Sequence, residues 1–306
     1  MAIIHVDFAW DLGEFDYDND EFEIRGTYGD RYLHYVGTKT KGEDILIPDG
    51  IRNCKFMFEG CTSLETAPTI PSSVKYCRSM FRGCTSLKIA PKIPKSADNC
   101  RSMFCGCTSL EVGPDIPSCV RDCIDMFYGC SSLKVAPEIP KNARRRSMFK
   151  GCTSLEVAPK IPVYSVAWSC ESMFEGCTSL KVAPEIPEGI DDCTRMFAGC
   201  TSLELAPIIP DRVTICDHMF EGCTSLEVAP KIPSSVEKCN FMFKDCISLL
   251  ETPVLPDGIK YCKSMFEGCT SLEIAPEMVP AGIWDCTDMF KDCTSLKNRP
   301  ILMIVL

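Results

Sequence analysis

A Met-Phe pair returns eleven times along the chain at nearly constant intervals, and this periodicity limits the possible folds more than any other feature. Most intervals are 23 residues, with single steps of 22, 24 and 25. The methionines of the pairs are Met57, Met80, Met103, Met126, Met148, Met173, Met196, Met219, Met242, Met265 and Met289. A unit of this length is too short to bury its own apolar side chains, so each unit must stack on its neighbours. The spacing therefore predicts a repeat solenoid.

The first half of each unit has the pattern of a short strand. The unit 226–248 reads LEVAPKIPSSVEKCNFMFKDCIS, in which large apolar residues alternate with polar or small ones. Period-two alternation predicts that Leu226, Val228 and Ile232 face inward and that the residues between them face outward. Pro230 has no N–H to donate, so it must interrupt the ladder between stacked turns. We expect a strand of only three or four residues here.

The second half of the unit predicts another short extended piece and then a helical turn. The extended piece is 236–239, and the Met-Phe pair follows it. Residues of the helix-capping type often precede the pair, namely Ser79, Ser102, Asp125, Ser147 and Ser264. The Gly or Asp after the pair suits the end of a single helical turn. One circuit is therefore expected to run strand, turn, strand, short helix.

The recurring run GCTSL..AP.IP..V..C..MF.GCTSL resembles the BspA-like branch of leucine-rich repeats between Ile51 and Pro300. The resemblance implies a right-handed α/β solenoid of short parallel strands and short helical turns. Such proteins serve in protein recognition and occur in bacterial surface proteins, phages of gut bacteria and some protists. The proline-rich strand and the Met-Phe pair are most similar to the phage and gut-bacterial variety.

The two ends of the chain do not follow the repeat. Residues 1–50 are rich in aromatic and acidic residues, and the alternation at 21–24 and 32–36 predicts β-hairpins. We expect 1–50 to form a β-rich cap on an eleven-turn solenoid of residues 51–300, because a solenoid end exposes its core. The apolar tail 301–306 is expected to be a second cap or an open edge that pairs two copies of the chain.

Cysteines form two ladders with two residues per unit, which account for 21 of the 23 in the chain. Their C-x6-C spacing is not a zinc signature. Small thiols suit a stacked interior and donate weak S–H bonds to carbonyl groups. We predict buried, reduced thiols and no metal or cofactor. Cys105 and Cys119 lie off the ladders and are expected to be more exposed.

Outward positions near the strand carry alternating charges, from Glu65 and Lys88 onward, that predict pairing between stacked turns. In the C-terminal third these charges give way to Ile208, Leu250 and Val254. Exposed aliphatic residues at these positions predict a partner-binding surface. The alternative is local repacking, with Glu251 in an inward position.

The repeat is irregular around a basic cluster. The fifth unit lacks one residue, and its first ladder cysteine is replaced within Arg144-Arg145-Arg146; the next unit has an insertion that contains Tyr164 and Trp168. Arginine and aromatic residues are enriched at binding hot spots, and insertions in solenoids often mark the binding face. The alternative is a tolerated slip of the repeat that turns Arg145 toward solvent.

Taken together, these patterns predict a non-enzymatic scaffold that recognises another protein, such as a phage or bacterial protein that binds or blocks a host protein. The alternative is a structural or adhesive component of a virion or cell envelope. The net charge of −10 disfavours nucleic acid, which needs a basic face. No signal peptide or membrane-spanning stretch is evident, so we expect a cytoplasmic protein.

Overall fold

The computed structural model of the protein describes residues 22–25, 32–47, 49–163, 169–276 and 278–298. The chain forms two compact units, Met1–Cys152 and Thr153–Leu306. The regular elements in the described residues are strands β1 (Phe22–Arg25) and β2 (Tyr32–Tyr35) and a 3₁₀ helix at Gly42–Asp44. The remainder of the described chain consists of turns joined by isolated β-bridges.

Strands β1 and β2 form an antiparallel hairpin, which confirms the hairpin predicted for this part of the N-terminal segment. Its register pairs Phe22 with Tyr35. The Tyr35 N–H donates to the carbonyl of Met57 over 2.7 Å, and the Tyr35 ring lies 5.3 Å from that of Phe58. The hairpin thus packs against the first turn of the repeat, although the boundary at residue 50 stays a prediction.

Within each of the two compact units, successive turns are joined by parallel bridges of single residues. Examples are Val112↔Val135 in the first unit and Val182↔Leu205 in the second. The predicted strands of three or four residues are wrong, and the reason is the proline. The Ala67 N–H still donates to the carbonyl of Ile89 over 3.2 Å, but the next residue is Pro68, which has no N–H. The ladder is interrupted there, as predicted.

The predicted helical turn at the Met-Phe pair is also wrong, because two residues around the pair adopt left-handed backbone. Ser79 has φ 53° and Gly83 has φ 72°, and the corresponding positions of the other repeats also have positive φ. Their N–H groups donate to the next turn, to the carbonyls of Arg101 and Cys105, at 2.8 and 2.7 Å. Left-handed backbone costs a non-glycine residue roughly 1–2 kcal/mol, and the bonds between turns offset that cost.

The core is made of columns of identical side chains, one from each turn. Phenylalanine rings stack nearly parallel, with centroids 5.7 Å apart for Phe81 and Phe104 and 5.6 Å apart for Phe220 and Phe243. The methionine before each phenylalanine and the strand leucines up to Leu272 are likewise buried. Burial of such a side chain contributes about 1.5–3 kcal/mol, so stacking provides the stability that a single repeat lacks.

The valine of the strand pattern faces solvent, which corrects its predicted inward position. Leu226 and Ile232 are buried, but Val228 is 73% exposed. Val228 forms its bridge beside the proline-containing bend, so the alternation does not continue through it. Glu251 occupies the equivalent position and is exposed, so its predicted inward placement is wrong as well. The handedness of the coil stays a prediction.

Candidate protein-interaction surfaces

Each repeat presents a strand face, made of the residues one, two and five positions after the strand leucine. The middle column is apolar and exposed in nearly every turn, with Ile89, Val112 and Val135 in the first unit and Val182, Leu205, Val228 and Ile274 in the second. Because both units share this column, it reflects the strand chemistry of the repeat. The two flanking columns are what distinguish one stretch of the face from another.

The strand face of the second unit widens into an aliphatic patch, defined as Leu205, Ile208, Val228, Leu250 and Val254. Ile208 is 88% exposed, Val254 85% and Leu250 47%. The exposure predicted for these three residues is confirmed, while their role in binding stays a prediction. Three successive turns contribute to the patch, which extends over more than one column. Large exposed apolar areas of this kind are uncommon in soluble monomers and often mark binding sites.

Grooves run beside the strand face where the prolines interrupt the ladder. In the second unit, a groove of about 280 Å³ lies between Pro207, Ile208 and the facing Pro230 and Lys231. In the first unit, a groove of about 410 Å³ has the polar Thr69 at the position equivalent to Ile208. Both grooves follow from the missing N–H groups of the prolines. Only the groove in the second unit has an exposed aliphatic side chain, Ile208, at that position.

The charges around the aliphatic patch are mainly acidic. Glu204, Glu227 and Glu251 are exposed, and none forms an ion pair with another described residue. Lys181, in the turn bonded to that of Glu204, and Lys231 are exposed cations on the same face. Elsewhere on the strand face the predicted pairing between turns is confirmed, with Lys88–Glu65 at 3.2 Å and Lys134–Glu111 at 3.0 Å in the first unit and Lys297–Glu273 at 2.6 Å in the second. The patch therefore combines apolar side chains with unneutralised carboxylates.

The arginine cluster is divided between surface and core. Arg144 is exposed and lies 3.7 Å from the Asp122 carboxylate, and Arg146 is also exposed. Arg145 is only 1% exposed, because it occupies the place of a ladder cysteine. Its expected availability to a partner is therefore wrong, and so is the alternative that turns it to solvent. Ala143 stays buried, and Arg144 forms the β-bridge to Asp122. The missing residue of this repeat is thus accommodated between these two positions and the core.

Three other predicted features lie outside the described residues. They are Tyr164 and Trp168 in the insertion and the apolar tail 301–306. Their expected roles in binding and dimer formation stay predictions.

The first unit has a basic turn face that the sequence patterns described above did not predict. The turn face of each repeat consists of the residues one, two and five positions after the first ladder position. In the first unit these positions carry six basic and two acidic residues, and in the second four basic and six acidic. The basic residues of the first unit are Lys55, Arg78, Arg82, Arg101, Arg146 and Lys150. The signal is present in the sequence, but it appears only when columns are compared between units.

The ladder cysteines are free thiols, most of them buried, as predicted. In the second ladder most S–H groups donate to the phenylalanine carbonyl of the preceding turn, for example Cys84 to Phe58 at 3.0 Å and Cys246 to Phe220 at 3.1 Å. Burial raises the pKa of the Cys246 thiol to about 12. Cys119 is exposed and Cys105 half-buried, which confirms their expected exposure. The ladder thiols are therefore structural.

Two other features are absent from the described residues. No group of three or more His, Cys, Asp or Glu side chains in this part of the chain is arranged to hold a metal ion. No helix within the same residues is long and apolar enough to cross a bilayer.

The family follows from the repeat and its geometry. The model of the BspA type leucine-rich repeat region, which contains six copies of the repeat, matches residues 38–156, 115–227, 145–273 and 193–299. These matches extend over more than half of the chain, which therefore belongs to the BspA-type leucine-rich repeat family. The resemblance seen in the sequence is confirmed. No match to a curated protein is found.

Two solved structures resemble the fold. A leucine-rich cell surface protein from Faecalibacterium prausnitzii A2-165 aligns with a TM-score of 0.51 and 18% identity, over 94% of each chain. A leucine-rich repeat protein from Bacteroides ovatus ATCC 8483 aligns with a TM-score of 0.37 and 20% identity, over 92% of this chain and 94% of that one. The first of these supports the leucine-rich repeat fold of the chain.

Proposed function

We propose that this chain is a non-enzymatic scaffold that binds a partner protein through the aliphatic patch of its second unit. The observation that carries the proposal is the loss of charge at Ile208, Leu250 and Val254, which are all exposed. Polar side chains occupy the equivalent columns of the first unit. Because the repeat folds with charged residues at these positions, folding alone does not explain the aliphatic substitutions.

The chemistry of the patch defines the partner's contact segment. Leu205, Ile208 and Val254 offer apolar area, and burial of such area contributes about 25 cal/mol per Å². Glu204 and Glu227 lie on the same face without ion pairs among the described residues, so they favour cations on the partner. The partner segment is therefore expected to combine aliphatic side chains with lysine or arginine. That the partner is a host protein of a phage or bacterium stays a prediction.

The test compares two variants that carry the same change on different units. Ile208→Asp/Val254→Asp alters the patch, and Ile89→Asp/Val135→Asp alters exposed aliphatic residues of the first unit. The full chain and both variants serve as baits in cell lysate under reducing conditions, and bound proteins are quantified by mass spectrometry. Affinity for each purified candidate partner is then measured by calorimetry.

We expect a partner that binds the wild type and the first-unit variant equally and the patch variant roughly tenfold or more weakly, since truncation at a hot spot costs at least 1–2 kcal/mol. Equal affinity for all three baits would show that the patch is not the binding surface. Thermal unfolding of each variant controls for loss of the fold.

A further inference from the structure

The last described turn of the second unit leaves its core columns partly open. The stacked phenylalanines up to Phe266 are fully buried, whereas Phe290 is only half-buried, although its ring lies 5.4 Å from that of Phe266. Half-buried residues also stand in other core columns of this turn, namely Ile283, Cys286, Cys293 and Leu296. Each of these columns lacks the next neighbour that earlier turns have. The end of the stack is therefore an exposed apolar face.

A row of N–H groups without acceptors runs along the same end. In the turn before it, N–H groups donate to carbonyls of the last turn, as that of Phe266 does to Met289 at 2.9 Å. The equivalent N–H groups of the last turn, here called the donor row, belong to Cys286, Asp288, Phe290 and Asp292. None of the four donates to a backbone carbonyl in the described part of the chain. Unpaired backbone groups at an edge favour pairing with an added segment.

The chain leaves the path of the repeat at Asn298. In an earlier turn, the Thr252 N–H donates to the backbone carbonyl of Ile274 in the next turn over 3.3 Å. The equivalent N–H of Ala275 donates instead to the side-chain Oδ1 of Asn298 over 3.0 Å. The Asn298 Nδ2 in turn donates to the Ala275 carbonyl over 3.0 Å. The side-chain amide thus takes the place of a continuing backbone, and the ladder of the strand face ends there.

From these observations we infer that the end of the stack is a docking site for the chain's own segment 301–306. This segment reads ILMIVL, and such large apolar side chains suit an exposed apolar face. An extended segment turns every second carbonyl toward the same edge, and the donor row likewise takes its N–H groups from every second residue. The docked segment covers Leu296 and Phe290 and accepts hydrogen bonds from the donor row.

The chain after Asn298 is long enough to reach this site. The strand face and the donor row lie on opposite sides of one core layer, and packed layers are about 10 Å apart. Extended residues span about 3.3 Å each, so roughly three residues cross that distance. Residues 299–306 therefore extend over the core columns and still leave several residues beside the donor row.

A second copy of the chain fits this end less well than the chain's own segment. Two copies that met at these ends would each bring a donor row, and N–H groups cannot accept hydrogen bonds from one another. The opposite end of the chain offers fewer acceptors, because the Tyr35 N–H already donates to the Met57 carbonyl of the first turn. The inference does not depend on the aliphatic patch.

Hydrogen exchange of single amides, read by mass spectrometry with electron-transfer fragmentation, tests the docking in the full-length protein. The reporter is the Phe290 N–H, and the Phe266 N–H, which is bonded within the stack, is the reference. One variant lacks residues 301–306. Two triple variants, Ile301→Asp/Met303→Asp/Val305→Asp and Leu302→Asp/Ile304→Asp/Leu306→Asp, alter alternate sides of the segment, so each is the matched control of the other. Light scattering gives the mass at each protein concentration.

We expect the Phe290 N–H to exchange roughly tenfold or more slowly in the full-length monomer than in the truncated chain, with the Phe266 N–H unchanged. One triple variant should lose this protection far more than the other, because only alternate side chains of an extended segment face the stack. If thermal unfolding shows that the truncated chain does not fold, the two triple variants carry the comparison. The patch variant Ile208→Asp/Val254→Asp should keep the protection, which separates this inference from the proposed function.

Three results would overturn the inference. The first is an equal exchange rate of the Phe290 N–H with and without residues 301–306. The second is an equal effect of the two triple variants. The third is protection that appears only together with a doubling of the mass, which would identify a second copy as the occupant.

Discussion

On the turn face, the unit Met1–Cys152 presents six basic and two acidic residues, whereas the equivalent positions of Thr153–Leu306 present four and six. On the strand face, both units pair some charges between turns, but the second also replaces some of the charges with Ile208, Leu250 and Val254. The cores of the two units contain the same stacked columns. The comparison shows that one repeat core supports two surfaces of different chemistry, because the outward positions do not contribute to the stack.

The identity of the two cores is tested by removing one ring from each. Phe127→Ala in the first unit and Phe220→Ala in the second should each lower the free energy of unfolding by about 3–5 kcal/mol, since each leaves a cavity between stacked rings. Urea unfolding followed by circular dichroism measures both values. A difference of more than about 2 kcal/mol between the variants would show that the cores are not equivalent.

The arginine cluster distinguishes core from surface within the first unit. Arg145→Ala should lower the free energy of unfolding by about 2 kcal/mol or more, because it removes a large buried side chain. Arg146→Ala, next to it and exposed, should change that free energy by less than about 0.5 kcal/mol. Urea denaturation measures the free energy of unfolding of both variants. Equal losses would contradict the buried position of Arg145.

The turn face of the second unit contains a carboxylate that should make stability depend on pH. Hydrogen bonds from Ser264 and Lys244 lower the pKa of Glu267 to about 2. Because the folded-state pKa lies below the unfolded value, this stabilisation is present above about pH 4.5 and is lost as the pH falls toward 2.

Glu267→Gln should therefore lower the free energy of unfolding by about 1 kcal/mol at neutral pH, and the difference from wild type should shrink in acid. Urea titrations between pH 7 and 2.5 measure this trend. Glu227→Gln, at an exposed site without an ion pair among the described residues, is the control. A difference that stays constant across this pH range would rule out the lowered pKa.

The smallest effect concerns the charge ladder of the strand face. Lys134 pairs with Glu111 at 3.0 Å in the first unit, while Lys181 of the second unit forms no ion pair within the described part of the chain. Lys134→Ala should cost about 0.5 kcal/mol at low salt, whereas Lys181→Ala should cost close to zero. Thermal unfolding at two salt concentrations measures both, and an equal loss would remove this distinction between the two lysines.

Much of the architecture could be predicted because the core repeats. The return of Leu, Met, Phe and Cys at one spacing identified the repeat family, the buried columns and the S–H bonds, since only stacking can bury such short units. The hairpin of β1 and β2 followed from its alternation. The exposure of Ile208 and Val254 followed from their register with charged residues in other turns.

The backbone path, in contrast, was decided by hydrogen bonds between turns, which the sequence of a single repeat does not reveal. Ser79 resembles a helix cap in the sequence, but its N–H bonds to the next turn and its backbone is left-handed. Val228 fits an inward alternation, but the proline-containing bend turns it to solvent. Arg145 occupies a cysteine position inside the core, although arginine side chains are usually exposed to water. The amino-acid sequence by itself therefore determined which residues repeat and which columns stack. Only the tertiary structure decided the backbone path and the placement of residues such as Val228 and Arg145, because the backbone hydrogen bonds that orient them come from neighbouring turns.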